Sequence, residues 1–205
     1  MRLVILATDD QLLEMASAFK ISELVVVHSS GDFFNEQPGD IYFNLMEDAC
    51  SRDYSNIKAP IIINSVIITL KEMKAGPNVL RINGWPGFLK RPAWEIAGER
   101  TGLIDILFAD LQKECIHVSD KSALPSARVI SLIVNEAYFA LGEEISSKEE
   151  IDIALKLGTN YPYGPFEWSD RIGLANIYLL LMELSRTDKR YLPAPALVKE
   201  VSGIT

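Results

Sequence analysis

The chain contains few side chains of the types that perform acid–base or nucleophilic chemistry. It has two histidines, His28 and His117, and two cysteines, Cys50 and Cys115. His117 lies between apolar residues in an alternating pattern, which is typical of a partly exposed strand position, and we interpret it as structural. The cysteines are far apart and lack metal-ligand spacing, which predicts reduced thiols. The sequence has no Ser-His-Asp order, metal-binding spacing or phosphate-binding loop.

The charge and hydropathy patterns exclude two classes of partner. The chain carries 28 acidic and 20 basic residues, a formal net charge of -8. A nucleic-acid-binding surface must be basic, so this balance argues against such a partner. The apolar runs are too short to cross a bilayer, and the initial run "RLVILA" is too short for the core of a signal peptide. We therefore expect a cytoplasmic protein that binds neither nucleic acid nor membrane.

The first half of the sequence has the pattern of a sheet covered by helices. Apolar, strand-like runs occupy residues 2–7, 23–29, 40–46, 59–70, 78–85 and 115–120. The run at 59–70 is expected to continue into a short helix, and helical spacing occurs at 9–20 and 101–113. The runs are apolar on both faces, as in a sheet with helices on each side. The region between the second and third runs is short, which predicts that part of the usual doubly wound sheet is missing.

After residue 120 the pattern becomes entirely helical. Apolar residues at helical spacing predict helices over 126–142, 146–158, 165–185 and 193–203. The sequence therefore predicts two domains, residues 1–120 with the sheet and residues 121–205 with helices only.

The segment "DIALKLGTNYPYGPFEWSDRIGL" (152–174) has an unusual density of glycine, proline and aromatic residues. We expect Gly158 to end one helix with a positive φ, and Pro165 to begin the next with its φ already set. Phe166 and Trp168 can then fill the corner between the helices. We interpret the segment as a packing device rather than a chemical site.

The helical half resembles the C-terminal domain of the 3-hydroxyacyl-CoA dehydrogenase family. The resemblance covers residues 124 to about 198 and rests on "ARVISLIVNEAYFAL", "SSKEEIDIALKLG", "NYPYGPFEW" and "DRIGL". Upstream, "LFADLQKECIHVSDKSALPSAR", "IIINSVIITL" and "RINGWPGFLKRPAWEI" are similar to family segments in the same order. The resemblance implies a shortened Rossmann-like α/β domain, then an all-α domain like the C-terminal domain of 6-phosphogluconate dehydrogenase. It also implies a homodimer formed through residues 124–205.

The same resemblance assigns candidate catalytic positions. The family uses a histidine to move the hydroxyl proton, and a glutamate twelve residues later to orient it. Here Glu95 matches the glutamate, but Asn83 replaces the histidine. Asn64, with Ser65 beside it, falls at the family's serine position, and Ala127 replaces its asparagine. An asparagine can bind a carbonyl but cannot titrate, and a missing general base costs about 10²–10⁴-fold in rate.

The family's cofactor is NAD, and the corresponding turn of this chain lacks its features. A dinucleotide site needs glycine after the first strand, because only glycine lets backbone amides approach the diphosphate. The turn "TDDQLLEM" has no glycine and places two carboxylates there, which repel a diphosphate. His28-Ser29-Ser30 stands where an acidic ribose ligand is expected. We therefore expect no NAD cofactor.

Three hypotheses about function remain. In the first, the chain is a pseudoenzyme of fatty-acid metabolism that binds acyl-CoA or another acyl ligand near Asn64, Asn83 and Glu95. In the second, it is an active 3-hydroxyacyl-CoA (3-hydroxybutyryl-CoA) dehydrogenase with an unusual cofactor mode or a completing partner chain. In the third, it is a non-enzymatic partner of an acyl-CoA enzyme.

Overall fold

The computed structural model describes residues 1–15, 23–35 and 38–203. The chain divides into two compact units, an N-terminal unit (Met1–Leu124) and a C-terminal unit (Pro125–Thr205). The boundary predicted at residue 120 and the division after Leu124 both fall between the last strand and the first helix of the C-terminal unit. Among the described residues, no helix is long and apolar enough to span a membrane.

The N-terminal unit alternates strands and helices. Its strands are β1 (Arg2–Leu6), β2 (Glu23–Val27), β3 (Ile41–Asn44), β4 (Ile61–Asn64), β5 (Val79–Ile82), β6 (Ala93–Ala97) and β7 (Glu114–His117). Its helices are α1 (Asp9–Met15), α2 (Ser30–Asn35), α3 (Leu70–Met73) and α4 (Gly102–Asp110). The predicted helix over 9–20 continues into residues 16–22, which lie outside the described residues.

The described strands form one sheet in the order β2-β1-β3-β4-β5-β6-β7. The first five strands are parallel, β6 is antiparallel to β5, and β7 is parallel to β6. A complete Rossmann sheet has the order 3-2-1-4-5-6, with a further strand outside the second. In the described part of this chain α2 follows β2, and the next strand, β3, pairs with β1. The shortened α/β sheet predicted from the sequence is confirmed, with β2 as its edge strand.

Residues of the parallel strands enter two separate cores, one on each face of the sheet. Leu3 and Ile5 of β1 pack with Met15 of α1 and the buried face of α4. Val4 and Leu6 pack on the opposite side with residues of α2 and α3. Burying one such aliphatic side chain contributes about 1.5–3 kcal/mol. Both faces of the parallel region are therefore largely apolar, and most of the polar side chains of interest lie near the strand ends.

Strand β6 was not predicted as a separate element. It follows Pro92, carries Glu95 at its centre and has alanine at both ends, so its apolar signal is weak. Pairing with β5 and β7 identifies it. The run at 59–70 was expected to be a strand that continues into a short helix, and it holds β4, which ends at Asn64, and the start of α3 at Leu70.

The C-terminal unit is all-helical, as predicted. Its helices are α5 (Pro125–Gly142), α6 (Lys148–Thr159), α7 (Pro165–Ile172), α8 (Leu174–Ser185) and α9 (Pro195–Val201). The single helix predicted over 165–185 is wrong, because Gly173, at φ 89°, separates α7 from α8. Gly158 does not end α6 either. The helix continues to Thr159, and Asn160 takes the left-handed conformation that was expected of the glycine.

Candidate functional site

Three asparagines lie at the carboxyl edge of the sheet. Asn44 and Asn64 end β3 and β4, and Asn83 follows β5 directly. All three are buried. The Asn44 Oδ1 accepts a hydrogen bond from the Met46 amide (3.2 Å), and the Asn83 Oδ1 accepts one from the Trp85 amide (3.1 Å). These short side-chain turns direct the chain out of the sheet at the edge where open α/β sheets bind their ligands.

Asn64 joins the ends of three neighbouring strands. Its Oδ1 accepts from the Gly84 amide (3.0 Å), and its Nδ2 donates to the Leu45 carbonyl (3.3 Å). A Cβ at position 84 would lie 2.8 Å from the Asn64 Cγ, so glycine is required there for this close approach. Ser65 is also buried, but its hydroxyl donates to the Ile68 carbonyl (2.7 Å) within the following turn. Asn64 therefore contacts the segment that follows Asn83, whereas the Ser65 hydroxyl is used locally.

Glu95 lies on β6, beside the end of β5. The antiparallel register pairs Arg81 with Ala97 and Ile82 with Ile96. Continuing this register by one residue places Asn83 opposite Glu95, so the two side chains share a face of the sheet. Of the four predicted site residues, Asn64 and Glu95 therefore lie on β4 and β6, and Asn83 lies directly after β5, between them in the sheet order. Their roles in chemistry stay a prediction.

The side chain of Gln11 bridges the crevice where a dinucleotide would be expected. The strand order reverses between β1 and β3, and such a switch point is the usual ligand site of this fold. The Gln11 Nε2 donates to the Leu45 carbonyl just beyond β3 (2.8 Å) and to the Gly84 carbonyl (3.1 Å). Its Oε1 accepts from the Thr8 amide (2.9 Å). The sequence had drawn attention to the missing glycines of this turn, but not to Gln11.

The residues of this turn do not fit a dinucleotide. Asp9 and Asp10 occupy the first turn of α1, where a diphosphate needs backbone amides and positive potential. In the same helix, Glu14 accepts hydrogen bonds from the amides of Gly87 (2.5 Å) and Leu89 (3.1 Å). The Gln11 and Glu14 side chains thus hydrogen-bond helix α1 to the backbone of the loop between β5 and β6.

The opposite end of that loop is fastened by Lys113. Its Nζ donates to the carbonyls of Leu89 (3.1 Å) and Arg91 (2.7 Å) and lies 5.3 Å from the centre of the Trp94 ring. The Trp94 indole also donates to the Leu89 carbonyl (2.9 Å). Glu14 and Lys113 together fix the loop that connects Asn83 to the strand carrying Glu95.

An ion pair between a buried arginine and a partly exposed aspartate supports the turn after Asn64, and it was not predicted from the sequence. Arg81 is completely buried in β5, and its Nε donates to the Asp120 Oδ1 (2.7 Å). The same guanidinium donates to four backbone carbonyls, those of Ser65, Val66, Ile68 and Lys121. Burial lowers the pKa of Arg81, and Asp120 opposes this effect. The available signal was an arginine within the apolar run "NVLRI".

The two histidines are exposed, and the two cysteines are partly buried. His28 follows β2 and is exposed, and the Nε2 of exposed His117 lies 2.7 Å from the Gly98 carbonyl oxygen. Burial raises the thiol pKa of both Cys50 and Cys115, which disfavours the reactive thiolate. Within residues 1–15, 23–35 and 38–203, no three acidic, histidine or cysteine side chains are grouped to hold a metal ion.

In the C-terminal unit, the glycine- and proline-rich segment forms a packed corner between α6 and α7. Asp152 of α6 accepts hydrogen bonds from the amides of Phe166 (2.8 Å) and Glu167 (3.1 Å), and so caps α7. A Cβ at Gly164 would lie 2.5 Å from the Asp152 Cβ and closer still to its carboxylate, so this position requires glycine. Phe166 and Trp168 are buried. The geometry supports the interpretation of this segment as a packing device.

The matches with known proteins cover the helical unit most closely. Residues 126–202 match the family model of the 3-hydroxyacyl-CoA dehydrogenase C-terminal domain. The 3-hydroxyadipyl-CoA dehydrogenase of Escherichia coli is 36% identical over 87 residues, 42% of this chain and 18% of that protein. The 3-hydroxybutyryl-CoA dehydrogenase of Bradyrhizobium diazoefficiens is 37% identical over 97 residues, 46% of this chain and 33% of that protein. The matched region thus spans a third or less of the length of these two relatives.

Solved structures extend the similarity of fold to both units. The (S)-3-hydroxybutyryl-CoA dehydrogenase of Ralstonia eutropha superimposes with a TM-score of 0.72 at 18% identity, covering 98% of this chain and 93% of that chain. The 3-hydroxybutyryl-CoA dehydrogenase of Escherichia coli gives 0.75 at 14% identity, covering 99% and 56%. At these identities the likeness concerns the fold alone. The resemblance predicted from the sequence is confirmed: residues 126–202 match the 3-hydroxyacyl-CoA dehydrogenase C-terminal domain, and the chain is similar to dehydrogenases of that family.

Proposed function

We propose that this chain is a 3-hydroxyacyl-CoA dehydrogenase relative that binds an acyl-CoA and does not perform NAD-dependent oxidation. The observation that carries the proposal is the position of Gln11. Its side-chain amide bridges the switch point between β1 and β3 with three hydrogen bonds to backbone groups.

The electrostatics of the first turn support the absence of NAD. A diphosphate at this edge would have to displace the Gln11 amide and approach the carboxylates of Asp9 and Asp10. Displacing the amide would remove its hydrogen bond to the Gly84 carbonyl and leave the Leu45 carbonyl with the Asn64 amide as donor. A buried polar group left unsatisfied costs about 1–3 kcal/mol. Repulsion from the two carboxylates adds to that cost.

The residue at the family's histidine position supports the absence of oxidation. Asn83 carries an amide, which has N–H donors and a carbonyl acceptor but cannot accept a substrate proton near neutral pH. It lies beside Asn64 and, by strand register, opposite Glu95. An amide here is suited to bind the thioester carbonyl of an acyl-CoA without proton transfer. We therefore place the acyl group near Asn64, Asn83 and Glu95.

We also propose that the chain self-associates through residues 124–205. Several large apolar side chains of the C-terminal unit are exposed. Leu157 is 83% exposed and Ile153 is 54% exposed, and their spacing of four residues puts them on one face of α6. Burial of this face against a second copy would remove apolar surface from water.

A thermal-shift titration of the intact chain with NADH, NAD⁺ and acetoacetyl-CoA, separately and together, tests the proposal. A ligand that prefers the native state raises Tm by mass action. We expect acetoacetyl-CoA to raise Tm and the nicotinamide cofactors to leave it unchanged. Asn83→Ala should weaken the acetoacetyl-CoA response. Asn78→Ala, at the opposite end of β5, is the matched control and should leave it intact.

The other outcomes identify the alternatives. A rise with NADH, together with turnover that Glu95→Gln abolishes, would contradict the proposal and indicate an active dehydrogenase. An unchanged Tm with all three ligands would contradict the acyl-CoA assignment. It would favour a non-enzymatic partner of an acyl-CoA enzyme, which a pull-down would then recover.

A further inference from the structure

Strand β7 is the outer strand at one end of the sheet. Among the described residues, no strand lies beyond it. The amides of Glu114 and Val118 donate to backbone carbonyls on the β6 side, at 2.8 Å and 2.9 Å. Because successive residues of a strand direct their backbone groups to opposite sides, the amides and carbonyls of Cys115 and His117 point away from β6. These groups form an outer edge to which a further strand can add.

The outer edge is bounded on both sides by backbone groups that already have partners. Before it, the Lys113 amide donates to the Phe108 carbonyl (3.0 Å). After it, the Ser119 carbonyl accepts from the Lys121 amide (2.9 Å). The stretch on which an added strand finds both donors and acceptors is therefore residues 115–117.

Strand β7 lacks the side chains that commonly protect such an edge. Natural edge strands are often guarded by lysine, proline or a bulge. The four residues of β7 include neither lysine nor proline, and Glu114 carries their only formal charge when the histidine is neutral. Ile116, within the outer edge, is 42% exposed. An exposed isoleucine beside outward-facing backbone groups favours pairing with another strand, although the short length keeps such a pairing weak.

A second copy of the same strand fits this edge in one antiparallel register. Cys115 then lies opposite His117 of the second copy, and each of the two such pairs exchanges both of its backbone hydrogen bonds. The same register puts Ile116 opposite Ile116 of the second copy, so that each isoleucine covers the other. Glu114 lies opposite Val118 of the second copy, which keeps the two carboxylates from facing each other.

The neighbouring registers fit less well. A shift by two residues in one direction would require the Lys113 amide, which is bonded to Phe108. A shift in the other direction would require the Ser119 carbonyl, which is bonded to Lys121. Only the register centred on Ile116 uses groups that all point outward and lie within residues 115–117.

We infer that β7 pairs with β7 of a second copy of this chain in an antiparallel, two-fold arrangement that joins the two sheets edge to edge. A two-fold contact of this kind uses the same patch on both copies and closes on itself. The surface belongs to the N-terminal unit and differs from the face of α6. The inference therefore goes beyond the proposed function and does not depend on it.

Disulfide formation at a chosen position of the intact chain tests the inference. Cys50→Ser and Cys115→Ala remove the two native thiols and retain the backbone of β7, and Ile116→Cys then adds a single thiol. Residues that face each other in a non-hydrogen-bonded pair have Cα atoms about 4.5 Å apart, a distance that a disulfide spans. We expect mild oxidation to convert most of this variant to a covalent dimer on a non-reducing gel.

Glu114→Cys in the same background is the matched control. Residue 114 is exposed on the same strand, but its partner in the inferred register is Val118 of the second copy. This variant should stay mainly monomeric. Equal cross-linking at positions 114 and 116 would indicate random collision and overturn the inference, as would a monomeric Ile116→Cys variant.

An added Leu157→Glu separates this contact from self-association through residues 124–205. The substitution places a charge on the exposed face of α6 and should leave the Ile116→Cys cross-link unchanged. Loss of the cross-link would show that the β7 contact is not independent, which contradicts the inference. A failure of the α6 contact alone leaves the expected cross-link at Ile116→Cys as it is.

Sedimentation equilibrium of variants that retain the native cysteines provides a second test. Ile116→Lys places two ammonium groups opposite each other and should remove the association that depends on β7. Leu13→Lys is the control, because Leu13 of α1 is an exposed apolar residue (73%) outside β7, and it should associate like the unmodified chain. Equal association of Ile116→Lys and the unmodified chain would overturn the inference.

Discussion

Each structural unit contains an aspartate that caps a helix from a distant part of the chain. Asp120 of the N-terminal unit accepts hydrogen bonds from the amides of Leu70 (3.1 Å) and Lys71 (3.2 Å) at the start of α3. Asp152 of the C-terminal unit does the same for Phe166 and Glu167 of α7. The two caps have the same hydrogen-bond pattern, but they are supported by different means.

An ion pair stabilises the cap at Asp120, and close packing stabilises the cap at Asp152. Asp120 binds a guanidinium that is completely buried, so its position depends on an ion pair. Asp152 is buried against the backbone at Gly164, and its burial raises the pKa of its carboxyl group. The same capping geometry is therefore stabilised by an ion pair at Asp120 and by the absence of a side chain at Gly164 beside Asp152. The two caps should respond differently to mutation and to pH.

The largest effect is expected from removing the cation of the first cap. Arg81→Leu removes the buried guanidinium from Asp120 and from four backbone carbonyls. Breaking a fully buried pair from one side costs about 3–5 kcal/mol, and the partial exposure of Asp120 places the expected loss at the lower end. Urea unfolding should show this loss in the free energy of unfolding. Arg100→Leu breaks the exposed pair with Asp105 and serves as the control, because an exposed ion pair is screened by solvent and should contribute little to stability.

A double variant separates charge from packing at this cap. Adding Asp120→Asn to Arg81→Leu removes the uncompensated charge, so part of the lost stability should return. If Arg81→Leu costs no more than Arg100→Leu, the first cap does not depend on its ion pair and the comparison fails.

The second cap should be sensitive to added volume. Gly164→Ala places a Cβ against the Asp152 carboxylate and forces the two helices apart, at a cost of about 1–3 kcal/mol. Gly158→Ala is the matched control on α6, because no atom lies within 4 Å of its added Cβ. There alanine should stabilise by about 0.5–1 kcal/mol, since glycine is unfavourable inside a helix. Thermal unfolding of both variants measures the difference, and equal effects would contradict a close fit at Gly164.

The smallest expected effect is an opposite pH dependence of two carboxylates at the second cap. Burial raises the pKa of Asp152, so the folded state holds its proton more tightly than the unfolded state. Its contribution to stability is therefore greatest below the unfolded pKa of about 3.9 and falls as pH rises through the folded value. Asp152→Asn should gain stability relative to the unmodified chain over that window.

Glu167 should behave in the reverse sense. The hydrogen bond from Lys156 lowers the pKa of Glu167, so its contribution is present above the unfolded pKa of about 4.3 and is lost as pH falls through the folded value. Glu167→Gln should therefore cost more at neutral pH than in acid. Urea unfolding between about pH 3 and pH 7 follows both differences. Parallel pH profiles for the two variants would contradict the assigned causes.

Local patterns in the sequence predicted most elements of the fold. Apolar runs placed the strands of the parallel region, and helical spacing placed α5 nearly to the residue. The break between α7 and α8 was missed, because the apolar stripe continues across Gly173 and only its positive φ separates the two helices. Strand β6 was missed, because its stability comes from neighbours that are distant in sequence.

The candidate site was predictable only where residue type and spacing carried information. Asn64, Asn83 and Glu95 were found through their spacing in the resemblance, and they lie on β4, directly after β5 and on β6. Gln11 and the Arg81–Asp120 pair were not found, since their partners are backbone groups or residues tens of positions away. Such long-range polar contacts leave no periodic signal in one sequence.

The hydrogen bonds of Gln11 also affect how the chain responds to its surroundings. A crevice completed by a ligand gains stability only when the ligand concentration exceeds Kd, so the folded fraction follows the supply of that ligand. Gln11 belongs to the chain itself, and its effective concentration at the crevice does not fall when metabolite levels change. The hydrogen bonds that Gln11 makes at the β1–β3 switch point therefore do not depend on the concentration of a metabolite.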